Sequence, residues 1–417
     1  MKTGIVLGAG VVIGVSLAGI SMTKSGYETF INEQSQRLLA DVAPGTTISR
    51  TILNDGFFTV EDEFVFAFDP TETGLSSDAR MQLTVQNSCT IFPFYLSCND
   101  TFSYKASAEL EALKQQFLDY NYEAGWNASP LTQNITGWLK GESYTSSSES
   151  ALTLGKLNLT LDTDFAFSAV GVDFTLDTAS MNADSANLRL SDVVMTADLT
   201  DIQQNSWIGT NTLTLEDFTA NSGDGSEISL EDVLVSSITT EYEEGKYDLN
   251  YIVRAQRLSV NQPGLASQAD DINFDIRMYG ISAEALDLIQ DFEQANLTDA
   301  AIQKQLIDQL GKSEPGLTLN TLSLTLNEAP INATGELSFE PFTFQDYENM
   351  AVASKAHGKV HAMFSGDLET AAPALLPVIQ QSVQTGMLTQ DENGDFVTDI
   401  LLEGGAITVN GTVIGQF

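Results

Sequence analysis

The sequence predicts a mainly β fold of the α+β class: an N-terminal transmembrane helix, then an extended, curved, mostly antiparallel sheet with a few helices. Three observations lead there. Residues Gly4 to Met22 form one run without a charged side chain. Beyond it, apolar residues recur at every second position, the period of a strand with one apolar and one wet face. Helical spacing is confined to a few short segments. One-sided strands suit antiparallel sheet rather than parallel sheet buried on both faces.

As a helix the apolar run spans about 28 Å, close to the thickness of a bilayer's hydrocarbon core. Lys2 precedes it and Lys24 follows it. Two readings stand: an uncleaved signal anchor, or a signal peptide cleaved at the small-x-small site Ser16-Leu17-Ala18. Gly4, Gly8, Gly10 and Gly14 include two GxxxG pairs, which let membrane helices approach closely. The same glycines are also ordinary in short anchors. Ile5 to Gly10 has the look of a dinucleotide-binding turn. That fingerprint fails because position 13 is Ile and the glycine falls at 14.

The organisation expected is a membrane anchor over 1–24, a juxtamembrane helix over 25–41 and a β-rich body over 42–417. The Ser/Thr-rich stretch 142–150 marks a sub-boundary. In the body Phe64, Phe66 and Phe68 alternate, then Met81, Leu83 and Val85, then most of 152–176. A unit of the form apolar-x-Leu-x-Asp-apolar recurs at Leu188 to Val193, Leu213 to Phe218 and Ile228 to Val233. Unequal spacing excludes a strict solenoid, so these units read as successive strands of one sheet, each ending in an acidic turn. Later strands are expected at Ile272 to Met278, Leu317 to Leu326, Leu337 to Phe344, Val360 to Phe364 and Phe396 to Val413.

Four helices are expected between them. Ser107 caps one carrying Leu110, Leu113 and Phe117, and Ser282 caps one carrying Leu286, Ile289 and Phe292. Thr298 starts a third, with Ile302, Leu306 and Leu310 on one face and Gly311 as its stop. Leu375, Ile379 and Val383 form the fourth, beginning where Pro373 and Pro377 allow.

Fifty-seven acidic against 18 basic residues give a formal charge of −39. A surface this negative repels nucleic acid and anionic headgroups. The excess is spread along the chain, as in proteins kept soluble in salty surroundings; a cation-binding or partner-docking surface is the other reading. Cys89 and Cys98 are the only cysteines. In an oxidising compartment they staple the intervening loop as a local disulfide, which places the body in the periplasm.

Little points to chemistry. His357 and His361 are the only histidines. The alternation of Gly358, Val360, Ala362 and Phe364 makes that segment a strand with both imidazoles on its polar face, which disfavours a metal pair. Asp391-Glu-Asn393-Gly394-Asp395 lacks the calcium loop's glycine, Phe396 standing there, and its final acid, where Leu402 stands. Asn393-Gly394 reads as a hairpin turn. No nucleophile and base converge, so the chain is read as a non-enzyme without cofactor.

Leu213-Thr-Leu215-Glu-Asp, Glu244-Gly-Lys246 followed by Asp248 to Leu258, and Gly404-Gly-Ala-Ile407-Thr-Val409-Asn-Gly411 carry a resemblance to the YdgA-like family. Its members are inner-membrane-anchored envelope proteins of Gram-negative bacteria without a settled activity. The resemblance covers nearly the whole chain through structural patterns rather than a catalytic signature. Where members often carry a His-Gly-Pro turn, this chain has Ile91-Phe92-Pro93.

The expectation is a single-pass inner-membrane protein with its body in the periplasm, or a cleaved soluble periplasmic form. Its partners would be the membrane, through the N-terminal helix, and either of two others. One is a lipid or other hydrophobe in an apolar groove, because long amphipathic sheets must close, stack or hold something apolar. The other is an envelope protein docked on the acidic surface. Nucleic acid is not among them.

Overall fold

A computed structural model describes residues 19–29, 31, 46–68, 81–105, 120–146, 151–183, 186–203, 206–263, 265–290, 300–365, 371–373 and 376–416. The chain divides into two compact units, Met1–Met181 and Asn182–Phe417. Strands dominate both, and every described pairing is antiparallel, as one-sided alternation requires. Most of the expected anchor, including Gly4, Gly8, Gly10 and Gly14, lies outside the described residues, as does the segment that Ser107 would cap. Among the described residues no helix is long and apolar enough to cross a membrane.

In the first unit, described residues 19–29 are helical, here α1. The unit's strands are β1 (Thr46–Asp55), β2 (Thr59–Phe68), β3 (Met81–Phe92), β4 (Tyr95–Lys105), β5 (Tyr122–Ser129) and β6 (Asn134–Gly141), then β7 (Tyr144–Thr145), β8 (Ala151–Leu154), β9 (Leu157–Asp164) and β10 (Ala169–Ala183). Neighbours pair in the order β1-β2-β3-β4-β5-β6-β9-β10. Strict antiparallel alternation therefore brings the turns β1–β2, β3–β4, β5–β6 and β9–β10 to the same end. Within the expected linker, Tyr144 and Thr145 pair with β8.

The second unit is a meander of long strands: β11 (Ala186–Gln203), β12 (Ser206–Ser222), β13 (Glu227–Glu243), β14 (Lys246–Gln262), β15 (Leu265–Ser282), β16 (Gly316–Leu326), β17 (Ala329–Phe339) and β18 (Ala356–Phe364). Then β20 (Phe396–Glu403), β21 (Ala406–Val409) and β22 (Thr412–Gln416) continue the ladder, and the short β19 (Thr389–Gln390) pairs with β20. Helices α2 (Ala283–Gln290), α3 (Ala300–Ser313), α4 (Phe344–Glu348) and α5 (Leu376–Gln384) interrupt it. The Ser282 hydroxyl accepts from the Ala285 amide at 3.2 Å, the cap expected at α2.

Three local expectations are corrected. The acidic residues of the recurring unit do not end strands; they sit in the middle of β11, β12 and β13. Asp192, Asp232 and Asp271 of β15 adopt left-handed φ of 49°, 48° and 50°. Aspartate tolerates that region, and such a residue breaks the pleat. The apolar alternation changes phase there: Leu188 and Leu190 precede Asp192, Val193 and Met195 follow it. Because adjacent strands change phase at the same level, the ladder stays in register across the break.

Leu337 to Phe344 is not one strand. β17 ends at Phe339, and Thr343 caps α4 in a capping box with Asp346. Helix α3 also runs past Gly311 to Ser313. A Cβ on Gly311 would lie 2.0 Å from the Phe342 carbonyl, so this glycine serves a close approach and not a stop.

Candidate functional site

In the first unit, residues out of character with their strands mark the place. Along β2 the alternation Val60, Asp62, Phe64, Phe66 puts a carboxylate in an apolar phase. Along β1, Ile48, Arg50 and Ile52 put a guanidinium in the same position. The register sets Arg50 opposite Phe64 and Ile52 opposite Asp62. Both charged groups lie beneath α1, and Asp62 is completely buried. Arg50 Nη2 donates to Asp62 Oδ2 at 2.8 Å, and its guanidinium also bonds Glu28 of α1 at 3.2 Å. The Tyr27 hydroxyl donates to the same Asp62 oxygen, and its ring stacks on Trp126.

Burial pushes the Tyr27 phenol well above its usual range, and its bond to Asp62 pushes the same way. Burial works against the Arg50 charge, yet its hydrogen bonds to Asp62 and Glu28 hold it above the ordinary range. Both shifts favour the protonated forms, in which Tyr27 donates and Arg50 is a cation, and the bonds to Asp62 and Glu28 fasten α1 to the sheet.

Around this cluster Ile20, Tyr27, Val60, Ile91, Leu96, Cys89 and Cys98 form the core of the unit. Cys89 and Cys98 face each other across β3 and β4, with sulfurs 2.11 Å apart and Cα atoms 4.0 Å apart. Next along the same face, Asn87 Nδ2 donates to Asp100 Oδ1 at 2.6 Å, and burial raises the Asp100 carboxyl above its usual value.

In the second unit the register lines up apolar side chains from strands far apart in sequence. One row runs Ile276, Leu319, Gly335, Val360, Ile400. The next runs Met278, Leu317, Leu337, Gly358, Leu402, Ile407. Together with Phe274, these rows apart from Met278 floor a trough of about 390 Å³. Most of its lining is only half-buried. The space a Cβ would take at Gly335 and Gly358 is already held by Val360 and Leu337, which keeps the floor level.

Helices pack on these strands in two apolar clusters outside the trough lining. In one, Leu286 and Ile289 of α2 and Leu310 of α3 pack with Leu249 and Met278. In the other, Ile379 of α5 packs with Leu326, Ile331, Phe364 and Phe396. The opposite face of the same strands carries polar pairs, with Lys359 Nζ 2.9 Å from Glu336 and His361 Nδ1 2.7 Å from Asp399.

The sequence-predicted residues fall as follows. His361 and His357 are both exposed on β18, and His357 pairs with Glu340 at 3.2 Å. Among the described residues no group of three or more His, Cys, Asp or Glu is placed to hold a metal ion. Asp391 to Asp395 forms the loop of the β19–β20 hairpin, where Asp391 Oδ1 accepts from the Asn393 and Asp395 amides. The Arg50–Asp62 pair was not anticipated; an apolar groove was expected, but not the residues that floor it. The first had a signal, a charge in phase with apolar neighbours; the second needed the register, which no single strand reveals.

No curated protein and no solved structure matches the chain. A family model does, over residues 3–414. The chain belongs to a family described as bacterial proteins of unknown function (DUF945).

Proposed function

We propose that this is a non-enzymatic, membrane-anchored envelope protein whose second unit shelters a lipid chain or other apolar molecule. The observation that carries the proposal is the trough: apolar residues from six strands, aligned by register. Its volume falls in the range of small-molecule sites. Supporting the anchored reading are the uncharged run Gly4 to Met22 and the paired Cys89 and Cys98.

A second reading has the acidic outer surface dock a basic envelope partner. It draws on the formal charge of −39 spread along the chain.

The deciding experiment is native mass spectrometry with lipid extraction on the purified full chain, alongside Leu319→Asp. Sheltering predicts a lipid-range adduct on the natural chain and its loss from the variant. A bare mass, with partner capture that salt abolishes, favours the docking reading.

A further inference from the structure

We propose that the turn-bearing end of the first unit is a membrane-seating rim, lying in the headgroup region of a zwitterionic bilayer. The proposal rests on the anchored reading above and goes beyond it, since an anchor alone leaves the body free to stand off on its tether.

The turns β1–β2, β3–β4, β5–β6 and β9–β10 share one end of the sheet. In a chain with 18% charged residues, positions 56–58, 92–95, 129–133 and 165–168 contain no Asp, Glu, Lys or Arg. They expose large apolar groups instead: Phe57 and Phe58 are 48% and 57% exposed, Phe92 47% and Leu131 74%. The acids flanking the rim are engaged. Asp55 pairs with Lys24, and Asp164 accepts from the Ser168 amide at 2.8 Å.

The apolar run meets the body at this same end. A Cβ on Gly19 would lie 2.8 Å from the Phe94 ring and 3.1 Å from Pro93, so α1 at Gly19 lies against the β3–β4 turn. From there α1 descends over the sheet to Tyr27 and Glu28, bonded to Asp62 and Arg50. The Lys24 ammonium also donates to the Gly56 carbonyl at 3.1 Å. A helix fixed this firmly holds the rim at a set distance from whatever surface the run enters. Aromatic side chains with few charges are what a bilayer interface accepts. The acidity of the remaining surface disfavours anionic lipid, which selects a zwitterionic one.

The test uses the full chain with Leu131→Cys, whose thiol is the only free one while Cys89 and Cys98 stay bonded. It carries an environment-sensitive fluorophore in phosphatidylcholine vesicles containing brominated lipid. Ser143→Cys, at the opposite end of the unit, is the control. Leu131 is so exposed that its replacement leaves the fold intact. The expected result is several-fold stronger quenching at position 131 than at 143, reduced when Phe57 and Phe58 become Ser. Equal, weak quenching at both positions on chains that float with the vesicles overturns the rim and leaves the anchor standing. Chains that do not float overturn both.

Discussion

The Tyr27 hydroxyl donates to the Asp62 carboxylate, which is wholly buried beneath α1 and shared with Arg50. Asp62 uses one oxygen for both donors; its Oδ1 is buried without a hydrogen-bond partner. The two donors are not equivalent. Losing Tyr27 leaves the charge paired, whereas losing Arg50 leaves a buried anion without a countercharge. Arg50→Met is expected to destabilise the first unit by about 3–5 kcal/mol, and Tyr27→Phe by about 1–2 kcal/mol. Urea unfolding followed by tryptophan fluorescence gives the ranking, and a reversed order would refute the argument.

The Cys89–Cys98 link closes a short loop, and both sulfurs are buried. Constraining the unfolded chain this way contributes about 2–3 kcal/mol. The double Ser variant should lose that amount in urea. In native buffer a thiol reductant should act only at the rate at which the hairpin opens. Immediate reduction without denaturant, read by thiol titration, would show that the sulfurs are accessible.

Asp100 predicts a pH effect of unusual sign. Burial raises its folded pKa above the unfolded value, so the folded state prefers the protonated form. The cost is absent below the unfolded value of about 3.9 and complete above the folded one. Asp100→Asn keeps an acceptor for Asn87 and removes the charge. It should be more stable than the natural chain at pH 7, with the difference vanishing near pH 3. Thermal melts at the two pH values measure this, and a variant less stable at pH 7 would contradict it.

The left-handed Asp232 separates backbone from side-chain effects. Asp232→Gly should be close to neutral. Asp232→Val should cost about 1–2 kcal/mol, because a β-branched residue pays more for φ near 48°. Equal losses for the two variants would assign the effect to the carboxylate.

How far the fold was legible follows from range. Local signals held: alternation predicted β2, β3 and β9, and Ser282 capped its helix. The recurring Leu-x-Asp unit looked like strand ends because Asp favours turns. Its true role, breaking the pleat within a long strand, shows only when the neighbours are seen to break at the same level. An apolar groove was expected, but its residues escaped for a related reason. Ile276, Leu319, Val360 and Ile400 come from four strands, and only pairing sets them in one row.

The chain-order ladder of the second unit bears on how it is made. From β11 to β18 each strand pairs with the one synthesised just before it, so contacts stay local and strands join as they emerge. The trough floor is complete only after β20 and β21 arrive. Until then β18 presents an open edge beside an unfinished apolar row, a template for any other strand in reach. A product truncated before Phe396 should therefore aggregate through that edge, which makes the C-terminal hairpin the step that ends the chain's exposure to its own kind.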